Sequence, residues 1–152
     1  MSSDESLSVH QKETIRLALV ETARKYIGVP YKYGAEWTDY TKPPEALDCS
    51  EFVEGVYHLN GLKMPDGAQS QYNFTVHTPT PQMGDLAFFG KGGDINQIYH
   101  VGIVLNDTAI IEARGFDPKS SFETGKVIVR PRSRWEAYLP SFVGYRSHSK
   151  LL

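Results

Sequence analysis

The hydrophobic pattern of this 152-residue chain changes its period near residue 85. Before that point, apolar residues recur at helical spacing over 9–27 and 49–60, and 68–74 is predicted to form a short helical turn. After it, short β-branched or aromatic runs are separated by Gly, Pro and Asn-Asp. These predicted strands are Asp85–Phe89, Val101–Leu105, Ala109–Ala113, Val127–Arg130 and Phe142–Arg146. Helices followed by closely spaced strands predict an α+β fold, with N-terminal helices packed on a mostly antiparallel sheet of five to six strands.

The length and composition indicate one folded unit. Hydrophobic residues make up 40% of the chain and aromatic residues 12%, which is typical of a globular protein. Since no repeat or linker divides the sequence, we predict a single domain over 1–152. Its folded core is expected over 9–146, between polar tails over 1–8 and 147–152. Ser8 and Gln11 have capping-box spacing, so the first helix should begin directly after Ser8.

Charge and composition argue against several functions. The formal net charge is -2, and no basic patch indicates binding to nucleic acid. One short basic cluster, Arg130, Arg132 and Arg134, is interpreted as a solvated strand end. No apolar run reaches the roughly 20 residues that a membrane helix needs, so no membrane span is predicted. The first residues lack the basic and apolar regions of a signal peptide, so we expect the chain to be made in the cytoplasm without one.

Cys49, the only cysteine, stands at the predicted start of the second helix, after Asp48 in the N-cap position. The thiolate is the nucleophilic form of cysteine, and both a helix N-terminus and a neighbouring imidazole stabilise it. A lone cysteine is more often an inert core residue, but the polar neighbours Asp48 and Ser50 are unusual for a core position. The pattern therefore predicts a cysteine nucleophile.

His100 is the best candidate base among the five histidines. It directly precedes the apolar run Val101–Leu105, and a strand end is a rigid platform for a catalytic group. The other four lie on the far side of the second helix, in a loop or near the termini: His58, His77, His10 and His148.

Glu112 is the candidate third group, which would orient the imidazole through its other ring nitrogen. A hairpin about Asn106–Asp107 would bring Glu112 level with the start of the preceding strand, near His100. On spacing alone, a glutamate that faces solvent on an alternating strand is equally compatible.

Four ordered motifs resemble the NlpC/p60 cysteine peptidases. They are GVPYKYG (28–34), DCSEFV (48–53), GDLAFF (84–89) and HVGIVL (100–105). The resemblance implies a papain-like α+β core and cleavage of the peptide stems of bacterial peptidoglycan, typically between D-γ-glutamyl and a diamino acid. It also implies Cys49 as nucleophile, His100 as base and Glu112 in the third position.

The same resemblance implies three substrate-binding residues. Tyr33 would line the active site, while Asp48 and Ser50 would recognise the free amino end of the stem. Purely structural roles stay open for each: a packing aromatic, a helix cap and a first-turn residue. No metal and no cofactor are expected, because the sequence has neither HExxH nor a cysteine cluster.

Three features depart from the pattern of the family. Its third catalytic position is more often His, Asn or Gln; the charge of Glu112 would raise the pKa of His100. Glu51 replaces the usual glycine and adds negative charge beside the site. The segment Ala35–Leu47 is longer than usual, and its Trp37 is expected either to wall the cleft or to cover the core.

Two other functions stay open from the sequence. One is a papain-like amidase or acyltransferase that acts on another amide or ester; the other is a non-catalytic phage-particle or cell-wall binding module. For a peptidase, the expected site of action is the cell wall, reached through lysis, particle delivery or secretion. A phage tail or an immunity protein is then the candidate protein partner.

Overall fold

A six-stranded sheet in the order β1-β6-β2-β3-β4-β5 forms the centre of the fold. The computed structural model describes residues 6–152. Its helices are α1 (Val9–Arg24), α2 (Cys49–His58), α3 (Ala68–Phe74) and α4 (Arg132–Ala137). Its strands are β1 (Val76–His77), β2 (Leu86–Gly90), β3 (Ile98–Val104), β4 (Ala109–Arg114), β5 (Lys126–Pro131) and β6 (Phe142–Ser147). Neighbouring strands are antiparallel throughout, which confirms the predicted α+β fold.

Helix α1 begins where the capping box predicts. The Ser8 hydroxyl accepts a hydrogen bond from the Gln11 backbone N–H, and the Gln11 side chain accepts one from the Ser8 N–H. The helix ends at Arg24, before the predicted end at Ile27, and the chain then turns at Gly28, whose φ is 93°. None of the helices in residues 6–152 has both the length and the apolarity needed to cross a membrane.

Helix α2 joins the helices to the sheet. Its side chains Phe52, Val53, Val56 and Tyr57 are fully buried, in one core with inward residues of β3 and β4. A Cβ atom at Gly55 would lie 2.3 Å from the Trp37 ring, so only glycine lets that ring rest on the helix. Trp37 belongs to the core cluster. Of the two expectations for its segment, to wall the cleft or to cover the core, the second is therefore confirmed for Trp37.

A smaller apolar cluster lies on the opposite face of the sheet. It contains Phe89, Val104, Ile110 and Tyr145, with Trp135 of α4 fully buried among them. The sequence prediction missed α4, because a six-residue helix with one buried apolar side chain shows no helical period. It also missed the two-residue edge strand β1.

The interpretation of Arg130, Arg132 and Arg134 as a solvated strand end is wrong in two ways. Arg130 is 7% exposed and lies on β5 with its side chain in the interior. Arg132 and Arg134 belong to α4. Strand β5 is thus followed directly by α4. Its last arginine, Arg130, pairs with a buried carboxylate.

The C-terminal segment packs against the domain, although 147–152 was predicted to be a tail. Ser147, His148 and Leu151 are buried. His148 Nε2 lies 2.9 Å from the backbone oxygen of Lys63, and burial lowers the pKa of this histidine. Of the other predicted tail, residues 1–5 lie outside the described part of the chain.

Candidate active site

Cys49 is the first residue of α2, as predicted. Asp48 caps the helix: its Oδ1 accepts a hydrogen bond of 2.8 Å from the Glu51 backbone N–H. Cys49 is 7% exposed, and its Sγ lies 4.0 Å from the backbone oxygen of Tyr99 on β3. The thiol therefore lies at the positive end of the helix dipole, beside the strand that carries His100.

A β-bulge in β3 separates Tyr99 from the regular ladder. Phe89 of β2 is paired with His100 and Gly90 with Ile98, so Tyr99 is an extra residue. A bulge bends and twists its strand locally, and such bends commonly re-aim side chains beside active sites. His100 thus lies within β3, whereas the sequence prediction placed it just before the strand.

His100 interacts with both Cys49 and Glu112, and its contact with Glu112 is a hydrogen bond. The Glu112 bond joins Nε2 to Oε1 at 2.8 Å, which leaves Nδ1 for the thiol. Burial by itself would lower the pKa of His100, but the hydrogen bonds and negative charges of Cys49 and Glu112 outweigh it and raise this pKa to about 9. At neutral pH the ring is therefore an imidazolium, the expected partner of a thiolate.

Glu112 is fully buried, so the solvent-facing alternative is wrong. Arg130 forms a bidentate pair with the carboxylate: its Nε donates to Oε2 at 2.6 Å and a terminal nitrogen donates to Oε1 at 2.7 Å. Trp135 Nε1 donates a further bond of 3.0 Å to Oε2. Burial would raise the pKa of Glu112, but its hydrogen bonds and ion pairs with His100 and Arg130 hold this pKa below its usual range. Glu112 is therefore an ionised partner for the imidazolium.

Trp135 contacts both Glu112 and His100. Its ring stacks on His100 at a centroid distance of 5.3 Å and on Phe89 at 4.4 Å, while its N–H bonds Glu112. Gly102 makes room for it, because a Cβ atom there would lie 2.9 Å from the tryptophan ring and 2.8 Å from Ile110. The glycine of the HVG motif thus permits the contact that fixes the two catalytic candidates.

We expect Gly102→Ala to lower the free energy of unfolding by about 1–3 kcal/mol, since overpacking forces the rings of the cluster apart. Chemical denaturation measures this change. Gly115→Ala is the matched control, because its new Cβ would meet the Tyr31 ring at 3.4 Å, an ordinary contact distance. Equal stabilities for the two variants would show that Trp135 does not need the space above Gly102.

A cavity of about 370 Å³ opens beside His100. Its walls come from β2, β3, β4, β5, the segment after β4, the end of α4 and the GVPYKYG segment: Tyr31, Phe89, Tyr99, His100, Arg114, Gly115, Asp117, Arg130 and Tyr138. Aromatic rings thus surround a pocket that contains the base and two arginines.

None of the three predicted substrate-binding residues lines this cavity. Ser50 donates a 3.2 Å hydrogen bond to Asp48, and both flank Cys49. Tyr33 is 89% exposed and does not line the cavity. Tyr31 lines it instead; burial, followed by the charges of Cys49 and Asp48, raises the pKa of Tyr31 to about 12.

Glu51 points away from the cavity. Its Oε1 accepts a 2.9 Å hydrogen bond from the Trp37 backbone N–H. Carboxylate oxygens of Glu51, Glu54 and Asp66 lie within 4.8 Å of one another. Burial and these neighbouring charges raise the pKa of Glu51 to about 7, despite the opposing bond from Trp37. The carboxylate that Glu51 adds after the DCS motif therefore contacts the segment 35–47.

Comparisons with known proteins identify a family and related sequences. The family model described as "NlpC/P60 family" matches residues 28–127. A probable endopeptidase p60 of Listeria grayi is 35% identical over 99 residues, which are 64% of this chain and 18% of that protein. The peptidoglycan endopeptidase RipB of Mycobacterium tuberculosis is 30% identical over 122 residues, 74% of this chain and 46% of that protein. The chain thus spans less than half the length of either relative.

Solved structures share the fold. The NlpC/p60 domain of the peptidoglycan hydrolase SagA is 29% identical, with a TM-score of 0.61 over 87% of this chain and 97% of that chain. The structure of RipB from Mycobacterium tuberculosis is 21% identical and has a TM-score of 0.68 over 93% of this chain and 67% of that one.

Proposed function

The chain belongs to the NlpC/P60 family, and we propose that it is a cysteine endopeptidase that hydrolyses the peptide stems of bacterial peptidoglycan. The observation that carries the proposal is the ordered series Cys49, His100 and Glu112: Cys49 begins α2 and interacts with His100 of β3, which is hydrogen-bonded to the buried Glu112 of β4. A relative named as a peptidoglycan endopeptidase supports the substrate class. Within the stem, we propose the bond between D-γ-glutamyl and the diamino acid.

The chemistry proceeds through a thioester. The Cys49 thiolate attacks the carbonyl carbon of the scissile amide, and backbone N–H groups at the start of α2 stabilise the oxyanion. The His100 imidazolium donates its proton to the leaving amine as the C–N bond breaks. The neutral imidazole then takes a proton from water, which attacks the thioester and releases the γ-carboxylate and the thiolate. Glu112 positions the ring and stabilises its charge in both steps.

The raised pKa of His100 predicts the alkaline limit of activity. The imidazolium is present below about pH 9 and is lost as the pH rises through that value, so kcat/KM should fall above about pH 9. In Glu112→Gln this alkaline fall of kcat/KM should begin at lower pH, because a neutral amide stabilises the charged imidazolium ring less than a carboxylate does. A pH profile of kcat/KM on a stem peptide measures both. A limb near the ordinary imidazole value of 6.5 in the unaltered protein would contradict the pairing.

Digestion of purified peptidoglycan tests the proposal. We expect mass spectrometry of the soluble products to show stems cut after D-glutamate, with a new free amine on the diamino acid. The Cys49→Ala protein serves as the inactive control. Cuts within the glycan strand, or no products from a folded protein on several peptidoglycan types, would refute it.

The biological setting stays a prediction. We propose action at the cell wall, reached by lysis, particle delivery or secretion, with a phage tail or an immunity protein as candidate partner.

A further inference from the structure

Arg114 lines the cavity at the end of β4 with its hydrogen-bonding capacity largely unused. Its side chain is 23% exposed. The guanidinium contacts two carboxylates, Glu112 at 3.8 Å and Asp117 at 3.6 Å, and both distances exceed a hydrogen bond. Its Nε is buried and has no hydrogen-bond partner within residues 6–152. A buried donor without a partner is costly, which points to an acceptor that arrives from outside the chain.

Glu112 cannot be that acceptor. An ionised carboxylate offers about four acceptor positions. Those of Glu112 are taken by His100 and Arg130 on Oε1, and by Arg130 and Trp135 on Oε2. The long distance from Arg114 to Glu112 follows from this saturation.

Asp117 does not neutralise Arg114 fully either. Its side chain is 41% exposed, and its Oδ2 lies 3.6 Å from a terminal nitrogen of Arg114, beyond hydrogen-bond distance. Solvent screens an ion pair of this kind strongly. Arg130 and His100 both pair closely with Glu112, at 2.6 and 2.8 Å. The cavity therefore keeps one arginine whose two ion pairs are long and whose side chain forms no hydrogen bond within residues 6–152.

We propose that Arg114 binds a carboxylate of the substrate beside the scissile bond and makes the protein discriminate a free carboxylate from a carboxamide. Arginine presents N–H groups in a fork that matches a carboxylate, and a carboxamide lacks both the charge and the second acceptor. The inference rests on the proposed function. A γ-linked D-glutamyl–diamino acid bond has two such groups nearby: the glutamyl α-carboxylate and the carboxylate of the diamino acid.

Three synthetic stem peptides test the inference: the parent with both carboxylates, and two derivatives, each with one of them converted to the amide. For the unaltered protein, we expect kcat/KM to fall roughly 10- to 100-fold for one amide and little for the other, since charged hydrogen bonds are worth that much. That amide identifies which carboxylate Arg114 binds. In Arg114→Met the loss should disappear, mainly because KM for the parent rises, and Arg114→Lys should retain part of it.

Each other outcome overturns the inference. If the unaltered protein cleaves both amides as fast as the parent, carboxylate binding is refuted, whether or not a variant folds. If Arg114→Met slows all three peptides by one factor, Arg114 acts on the structure of the site and not on the carboxylate. If the unaltered protein cleaves none of the peptides, or cuts another bond, the proposed function itself fails and this inference falls with it.

Discussion

Replacement of Cys49 by alanine is expected to lower kcat on a stem peptide by roughly 10⁴- to 10⁶-fold, the range seen when an enzyme loses its nucleophile. No other thiol is available, because Cys49 is the only cysteine of the chain. Steady-state hydrolysis of a synthetic stem peptide measures the loss. Cys49→Ser should be nearly as inactive, since a hydroxyl does not ionise beside an imidazolium as a thiol does.

A folded but inactive protein is the informative result. The side chain of Cys49 is small, so thermal unfolding of Cys49→Ala should resemble that of the unaltered protein. His58→Ala is a suitable control for catalysis, because His58 lies at the far end of α2, stacked on Tyr40, and should leave kcat unchanged. Turnover within tenfold of the unaltered rate in Cys49→Ala would contradict a cysteine mechanism.

The second large effect is expected from Glu112→Gln. The amide cannot offer four acceptor positions, so it leaves Arg130 as a buried charge without a full partner. Breaking a buried ion pair in this way costs about 3–5 kcal/mol of stability. Loss of the carboxylate also weakens the hold on His100, and we expect kcat/KM to fall roughly 10²- to 10⁴-fold.

The double variant Glu112→Gln with Arg130→Met separates these two effects. Removal of both charges should restore part of the stability, because no unpaired charge stays buried. It should not restore activity, because His100 still lacks its anionic partner. Glu123→Gln, an exposed carboxylate paired with Lys126, is the matched control and should change neither quantity. Recovery of activity in the double variant would mean that Glu112 acts only through stability.

The start of α2 could be predicted because its signals are local. Asp48 as the cap and Cys49 as the first helical residue follow from residue types and spacing, and the same holds for Ser8 at α1. The approach of Glu112 to His100 needed one assumption, the hairpin between β3 and β4. That hairpin forms with Ile103 opposite Ile111, which places Glu112 and His100 near each other on one face of the sheet.

The partners of Glu112 could not be predicted, because they depend on non-local geometry. Arg130 reaches Glu112 through the pairing of β4 with β5, and the loop between them gives no register. Trp135 belongs to a helix too short to show a period. The choice between Tyr31 and Tyr33 is similar: the two residues share one motif, and only the folded structure shows that Tyr31 lines the cavity.

Hydrolysis of a synthetic stem peptide in water enriched in ¹⁸O tests the central claim most directly. Attack by Cys49 on the γ-glutamyl carbonyl, followed by water on the thioester, predicts that ¹⁸O enters the γ-carboxylate of the D-glutamyl product. The diamino acid should be released with a free amine and without label. Mass spectrometry of the two fragments reads both results at once. Label in any other carboxyl group, or cleavage that persists unchanged in Cys49→Ala, would contradict the account.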